Sequence, residues 1–302
     1  KNELGELIGV ISRVMVQNVL KKSYSDYLSE KPNENKNIFV TIPSSESPSK
    51  SITMTYTMGD LMSVNGFVTF FEEFLPSDMN LKNVEMSDMV DGNGEPLGYV
   101  PRPLIHKFNL LHRGIGIVVC QDSHITKENA SMPAIYVHRR TDTKRIFPSL
   151  YDMFVGGVST TGEDLIVTAQ REISEELGLS RQSLSDPLFK CTVCTSYNRC
   201  VVTVFTYKCN LSVDEIKWQE AEVSWGNFVS YDKVKKIGAL SLMRLHEAGE
   251  WPGRDTDVLD AVAGIADFTG LEDKEDKWNF VPDGLLVWVA WLKWMSSPIV
   301  DT

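Results

Sequence analysis

Residues 157–179 constrain the fold of this chain more than any other segment. They read Gly-Val-Ser-Thr-Thr-Gly-Glu-Asp-Leu-Ile-Val-Thr-Ala-Gln-Arg-Glu-Ile-Ser-Glu-Glu-Leu-Gly-Leu. Glu172, Glu175 and Glu176 have the i, i+3, i+4 spacing that places side chains on one face of a helix. Apolar residues at helical spacing mark the opposite, core-facing side: Leu165, Ile166, Ala169, Ile173 and Leu177. The segment therefore predicts an amphipathic helix with an acidic stripe.

The acidic stripe predicts a site for a divalent cation. Three like charges on one stripe repel each other and destabilise the helix. Mg2+ and Mn2+ prefer carboxylate oxygens, so either ion would offset the repulsion. Glu163 and Asp164 suit the start of this helix, and Gly178 is a typical stop. A solvated acidic face is the alternative interpretation, but the fixed spacing of so many positions favours the cation site.

The same segment resembles the Nudix box, whose pattern is Gly-x5-Glu-x7-Arg-Glu-apolar-x-Glu-Glu-x-Gly-apolar. The matching residues are Gly157, Glu163, Arg171, Glu172, Ile173, Glu175, Glu176, Gly178 and Leu179, with no mismatch. The resemblance implies an α/β fold, a Nudix-type α/β/α sandwich with a mixed sheet. It also implies hydrolysis of a nucleoside diphosphate linked to another moiety, or of a related small-molecule diphosphate.

The resemblance assigns roles to individual box residues. It implies that Glu172, Glu175 and Glu176 ligate Mg2+ or Mn2+, with the backbone of Gly157 as an additional ligand. Arg171 is expected to brace the loop and helix by pairing with a nearby carboxylate. We therefore assign the catalytic roles to Glu175, Glu172 and Arg171.

Basic and acidic residues outside the box are candidates for substrate binding and for the general base. Arg139 ends a predicted strand, Arg140 and Lys144 come shortly after it, and guanidinium groups suit phosphate oxygens. A solvated strand end is the alternative for these three residues. The base is predicted to be a box glutamate, or Glu220 or Glu222, whose alternative is an exposed strand entry.

Segments at 98–113, 139–152 and 280–283 resemble the branch of the family similar to isopentenyl-diphosphate isomerase, which includes hydrolase-like relatives. In the isomerase, a catalytic cysteine lies in a Cys-Cys-Ser-His segment just after a Phe-Pro-aromatic stretch. Residues 152–157 of this chain read Asp-Met-Phe-Val-Gly-Gly at that place. Hydrolysis is therefore favoured over isomerisation. A non-catalytic Nudix-fold binding or regulatory module is the second alternative.

The pattern along the chain predicts an N-terminal extension at 1–88 and a hydrolase domain at 89–302. The extension is predicted to be mostly helical, with helices at 4–28 and around 67–75, a loop at 31–51 and a short β run at 51–57. In the domain, a hairpin turn is predicted at 90–95. Strands are predicted at 115–120, 134–139, 154–158, 190–196, 201–208 and 222–229, and C-terminal helices at 232–248 and 255–269.

Composition limits the partners and the compartment. The net charge of −11 argues against a general nucleic-acid binder, which would carry a basic stripe. The apolar stretch at 284–295 contains Lys293 and is short for a membrane span, so it predicts a buried helix. Five cysteines without a regular framework are typical of reduced thiols, which predicts a cytoplasmic protein. The chain begins at Lys1, which leaves an organellar leader open, and a homodimer is the default expectation.

Overall fold

The computed structural model describes residues 37–44, 47–57, 85–124, 132–144, 146–271 and 275–297. The chain forms two compact units. One comprises Lys1–His112 with Thr160–Gly162, and the other comprises Arg113–Ser159 with Glu163–Thr302. The domain boundary predicted between residues 88 and 89 stays a prediction, because a compact unit need not coincide with a domain that folds alone.

The described part of the first unit contains two antiparallel hairpins and a short helix. Its elements are β1 (Asn37–Ser44) paired with β2 (Ser47–Thr57), β3 (Met86–Val90) paired with β4 (Pro96–Pro101), and α1 (Arg102–Phe108). The Asp91 carboxylate accepts the N–H groups of Asn93 at 2.8 Å and Glu95 at 3.0 Å, which closes the second hairpin. The turn predicted at 90–95 is confirmed.

The predicted organisation of residues 1–88 needs correction. The loop predicted at 31–51 is wrong where β1 and the start of β2 occupy it. Both strands contain β-branched Ile and Thr residues, and the strand propensity of these residue types outweighs the Ser and Pro content. The helices predicted at 4–28 and 67–75 lie outside the described residues. The described residues of the extension form strands, so they do not support a mostly helical extension.

A sheet runs through the second unit. Its strands are β5 (His112–Gln121), β6 (Ile135–Arg140), β7 (Tyr151–Asp152), β8 (Val155–Val158), β9 (Phe189–Cys194), β10 (Arg199–Cys209) and β11 (Val223–Val229). The central order is β11-β6-β5-β10-β9, with β7 beside β6 and β8 beside β5. Short β7 and β8 thus bring residues 151–158 to the centre of the sheet.

Helices cover both faces of this sheet. They are α2 (Leu165–Leu177), α3 (Tyr231–Glu247), α4 (Thr256–Val262) and α5 (Pro282–Ser296), with 3-10 turns at Arg181–Ser183, Val213–Glu215 and Glu275–Lys277. Successive side chains of β6 point to opposite faces. Val137 packs in a cluster with Trp291 of α5, and Tyr136 packs in a cluster with Ile173 of α2. The predicted α/β/α arrangement is confirmed.

The C-terminal helices follow the prediction except in length. The helix predicted at 255–269 is wrong beyond Val262, where α4 ends and Gly264 adopts a φ of 73°. The stretch at 284–295 lies within α5, as predicted. Gly238 of α3 makes room for α5, since a Cβ there would lie 3.1 Å from Cη2 of Trp288. Within the described residues, the structure contains no helix long and apolar enough to span a bilayer.

Candidate active site

Helix α2 begins and ends where the sequence predicts. The Asp164 side chain accepts the N–H of Ile166 at 3.2 Å and caps the first turn. Gly178 has a φ of 64°, a left-handed conformation that favours glycine, and its N–H donates to the carbonyl of Ser174 at 3.0 Å. Both ends of the helix are thus fixed by local hydrogen bonds, which holds its acidic stripe in place.

The apolar face of α2 anchors the helix to the sheet. Ala169, Ile173 and Leu177 are fully buried, in one cluster with Val155 of β8 and Phe205 of β10. The burial of these side chains positions the neighbouring Glu172, which is only 8% exposed. A carboxylate at that depth costs free energy unless it is paired or hydrogen-bonded.

The Arg171 side chain donates hydrogen bonds to three carboxylates of the box, those of Glu163, Glu172 and Glu175. Its Nε and Nη2 donate to the two carboxylate oxygens of Glu163, each at 3.3 Å. Its Nη1 donates to Glu172 at 2.8 Å and to Glu175 at 3.2 Å. Glu163 also accepts the hydroxyl of Thr168 at 2.8 Å. The guanidinium group therefore lies where the predicted brace between loop and helix would be, and its charge stabilises Glu172.

The backbone of Gly157 lies close to the carboxylate of Glu172. Gly157 pairs with Ile115 of β5, and a Cβ at position 157 would lie 2.6 Å from the carboxyl carbon of Glu172. Gly156 is equally constrained, because a Cβ there would lie 3.2 Å from the carbonyl carbon of Ile115. Only glycine fits at these two positions. The ligand role predicted for Gly157 stays a prediction.

The three predicted metal ligands face different surroundings. Glu175 is exposed, with 56% of its side chain accessible, and contacts Arg171. Burial and, to a smaller extent, the negative charge of Glu172 raise the pKa of Glu176 to about 8, against the opposing effect of the positive charges of Lys144 and Arg140. Across the described part of the chain, no group of three or more His, Cys, Asp or Glu side chains is arranged to hold a metal ion. Glu172 and Glu176 are therefore the less exposed members of the acidic stripe.

The predicted phosphate ligands separate onto two sides of β6. Arg140 donates through Nη2 to the carbonyl of Ile146 at 3.1 Å, and its charge reaches Glu176. Arg139 is exposed on the other face of the strand and donates through Nε to the carbonyl of Ser149 at 3.1 Å. The structure therefore brings Arg140, and not Arg139, towards α2.

The remaining predicted site residues, Lys144, Glu220 and Glu222, lie near the C-terminal end of α2. Lys144 forms an ion pair with Glu222. The N–H of Gln219 donates to the carbonyl of Glu176 at 2.8 Å, which places the 219–222 turn against the helix. Glu220 is exposed in this turn. The structure thus places the predicted phosphate ligand Lys144 and the predicted base Glu222 together near Glu176.

The sequence interpretation missed Tyr136 and His138, which share one face of β6 with the predicted phosphate ligand Arg140. Tyr136, His138 and Arg140 alternate along the strand on the face that α2 covers. Within the described residues, the Tyr136 hydroxyl, Nδ1 of His138 and Nε of Arg140 are buried without a hydrogen-bond partner. Burial, with the charges of Arg140 and Lys144, lowers the pKa of His138 to about 3, so its ring is neutral at pH 7. The strand period of 134–139 was the signal that could have found the row.

Comparison with known proteins identifies relatives of this chain. A model of the NUDIX domain matches residues 110–247. An uncharacterized Nudix hydrolase of Streptomyces coelicolor is 30% identical over 213 residues, which cover 70% of this chain and 91% of that protein. An uncharacterized Nudix hydrolase of Rhodococcus erythropolis is 37% identical over 105 residues. These residues cover 35% of this chain and about half (52%) of the length of that relative. A crystal structure of a Deinococcus radiodurans protein aligns with a TM-score of 0.40 and 18% identity, covering 59% of this chain and 97% of that one.

Proposed function

The chain belongs to the Nudix hydrolase family, and from this premise we propose that it is a metal-dependent hydrolase that cleaves a diphosphate linkage. Water attacks phosphorus, and the substrate is a nucleoside diphosphate linked to another group or a related small diphosphate. The observation that carries the proposal is the close pair Glu172 and Glu176 on α2, with Gly157 packed against Glu172 and Arg171 bonded to it.

The chemistry of these side chains suits a hard divalent cation. Glu172 and Glu176 repel each other enough that the Glu172 charge raises the pKa of Glu176. A cation bound between carboxylates removes such repulsion. The donors at hand are all oxygen atoms, which suits Mg2+ or Mn2+ held by Glu172, Glu175, Glu176 and the carbonyl of Gly157. When bound, such a cation neutralises diphosphate charge and lowers the pKa of water.

Two arginines, Arg171 and Arg140, are proposed to orient the ligand carboxylates and to bind the substrate phosphate. Arg171 holds Glu163, Glu172 and Glu175 in one hydrogen-bonded group, so that the ligand carboxylates keep their positions. Arg140 supplies positive charge next to Glu176, where substrate phosphate would approach. Positioning and charge stabilisation of this kind account for most of the catalysis of phosphoryl transfer.

The base is proposed among three acidic groups. Glu175 is exposed and adjacent to the ligand pair, Glu222 is paired with Lys144, and Glu220 lies in the same turn. A diphosphate anion competes with Glu222 for Lys144, so substrate binding would release the Glu222 carboxylate. Arg139 stays in the proposed binding set, although its side chain lies on the opposite face of β6.

We also propose a compartment, a substrate size and an assembly for this protein. The five cysteines are free thiols, which supports a reducing compartment such as the cytoplasm. The substrate is proposed to be a small molecule rather than nucleic acid, because the net charge is −11. We propose that the chain consists of an extension at 1–88 and a hydrolase domain at 89–302, and that it forms a homodimer.

The experiment that tests the function is a substrate screen with the full chain. Nucleoside diphosphate-linked compounds, nucleoside triphosphates and prenyl diphosphates are incubated with Mg2+, with Mn2+ or with EDTA. Hydrolysis that requires the metal supports the proposal, and label from 18O-water in the phosphate product identifies attack at phosphorus. Binding without turnover supports the regulatory module instead, and an isomerised prenyl product supports the isomerase, which residues 152–157 disfavour.

A further inference from the structure

The hydroxyl of Tyr136 is a polar group that the fold buries without a partner. The residue is 1% exposed, and within the described residues its hydroxyl is buried with no hydrogen bond. Buried polar groups are normally hydrogen-bonded, because an unpaired one costs free energy. A phenylalanine would fill the same space in the core without that cost. The hydroxyl therefore calls for a role that core packing does not explain.

The ring of Tyr136 packs under the acidic helix α2. It belongs to the same cluster as Ile173 and Leu177, which lie three residues before and one residue after Glu176. Burial raises the pKa of Tyr136, and the negative charge of Glu176 raises it further, so the phenol keeps its proton. Tyr136 thus presents a neutral hydrogen-bond donor within electrostatic range of the Glu176 carboxylate.

The direction of the phenol also leads to Glu176. Tyr136 pairs with Phe228 of β11, but a Cβ on Gly226, two residues earlier in β11, would overlap the hydroxyl and lie 2.8 Å from Cε2. The side chain therefore leans towards the start of β11 and the 219–222 turn before it. This turn donates an N–H to the carbonyl of Glu176 at 2.8 Å. The hydroxyl thus points towards the end of α2 that carries Glu176.

Glu176 differs from the other box carboxylates in its hydrogen bonds. Arg171 donates to Glu163, Glu172 and Glu175. In the part of the chain that the structure describes, Arg171 forms no such bond with Glu176. Carboxylates that ligate a metal are normally oriented by hydrogen bonds from surrounding residues. As a metal ligand, Glu176 therefore needs a donor other than Arg171.

We propose that Tyr136 is a positioning residue, whose hydroxyl holds the Glu176 carboxylate by a hydrogen bond when Glu176 serves as a ligand of Mg2+ or Mn2+. The inference rests on the proposed function, in which Glu176 is such a ligand. A neutral phenol suits this task, because it donates a hydrogen bond without a positive charge that would repel the cation. The His138 ring stacks beside the phenol, with centroids 6.1 Å apart and an interplanar angle of 23°, which limits its movement.

The test measures Mn2+ binding to the full chain by calorimetry. Tyr136→Phe removes only the hydroxyl, and Tyr207→Phe removes that of another buried tyrosine in the same cluster. Tyr136→Phe is expected to raise the dissociation constant for Mn2+ about tenfold or more. Tyr207→Phe should change it less than about twofold. Because the Tyr136 hydroxyl has no partner without metal, its loss should not lower the melting temperature in EDTA.

A double-mutant cycle with Glu176→Gln separates positioning from general packing. If Tyr136 acts through the Glu176 carboxylate, adding Tyr136→Phe to Glu176→Gln should change the dissociation constant for Mn2+ less than about twofold. An equal loss in both backgrounds, together with a lower melting temperature in EDTA, would show a structural role and overturn the inference. An unchanged dissociation constant for Tyr136→Phe would also overturn it and would leave the proposed function intact. A wild type that binds no Mn2+ would overturn both.

Discussion

Helices α2 and α5 cover opposite faces of one sheet and fill their buried positions with different chemistry. α5 buries Trp288 and Trp291, whose large rings add apolar area to the core. α2 buries Glu172 beside Ile173, although a buried carboxylate costs free energy that a partner must offset. From this difference we infer that the buried face of α5 stabilises the fold, whereas α2 carries a charged site that lowers its contribution to stability.

The largest expected effect concerns α5. Trp291 is 2% exposed, so Trp291→Ala leaves a cavity and should lower the free energy of unfolding by about 3–5 kcal/mol. Leu259→Ala on the exposed side of α4 is the matched control and should change it by less than about 0.5 kcal/mol. Urea denaturation measures both. Equal effects of the two variants would contradict the claim that the buried tryptophans of α5 stabilise the fold.

The second effect concerns the two sides of β6. Arg140→Ala should lower kcat/KM for the best substrate by about tenfold, since it removes the charge next to Glu176. Arg139→Ala should have a clearly smaller effect, because its side chain lies on the other face. Steady-state kinetics with matched melting temperatures measure the contrast. A larger loss for Arg139→Ala would contradict the assignment of faces.

The smallest effect is the pH dependence of α2 without metal. The folded pKa of Glu176 is about 8, above its ordinary value of 4.5. As pH rises, the unfolded chain releases this proton first, so stability is lost between about pH 4.5 and pH 8. Glu176→Gln removes this loss, and its stability relative to the wild type should grow by about 1 kcal/mol or more from pH 5 to pH 8.

Urea denaturation in EDTA at several pH values measures that trend. Glu250→Gln is the control, since Glu250 is exposed in the same unit. A stability difference between Glu176→Gln and the wild type that is independent of pH would show that Glu176 titrates normally.

Local features of this fold were predictable from the sequence. The bounds of α2 follow from Asp164, Gly178 and the apolar period between them, all of which act within a few residues. The strands of the second unit follow from alternation and turn residues in the same way. The N-terminal hairpin was missed because the Ser and Pro content of 31–51 suggested a loop, whereas strand pairing decides the conformation there.

Features that depend on distant parts of the chain were not predictable. Helical spacing groups Glu172, Glu175 and Glu176, but only packing against β8 determines that Glu175 faces solvent. The hydrogen bond from the Tyr197 hydroxyl to the Asp283 carboxylate joins residues 86 positions apart. The strand pattern shows that Arg139 and Arg140 point to opposite faces, and only the positions of α2 and α5 show which face meets the glutamates.

The most direct test of the central claim is Glu175→Gln. Glu175 is exposed, so the change removes one carboxylate charge from the proposed metal site with little effect on packing. Hydrolysis of the best diphosphate substrate with Mg2+ is measured for this variant, for the wild type and for Glu250→Gln. We predict a rate lower by about a hundredfold or more, as for the loss of other key electrostatic groups, at an unchanged melting temperature. A rate within about threefold of the wild type would contradict the account.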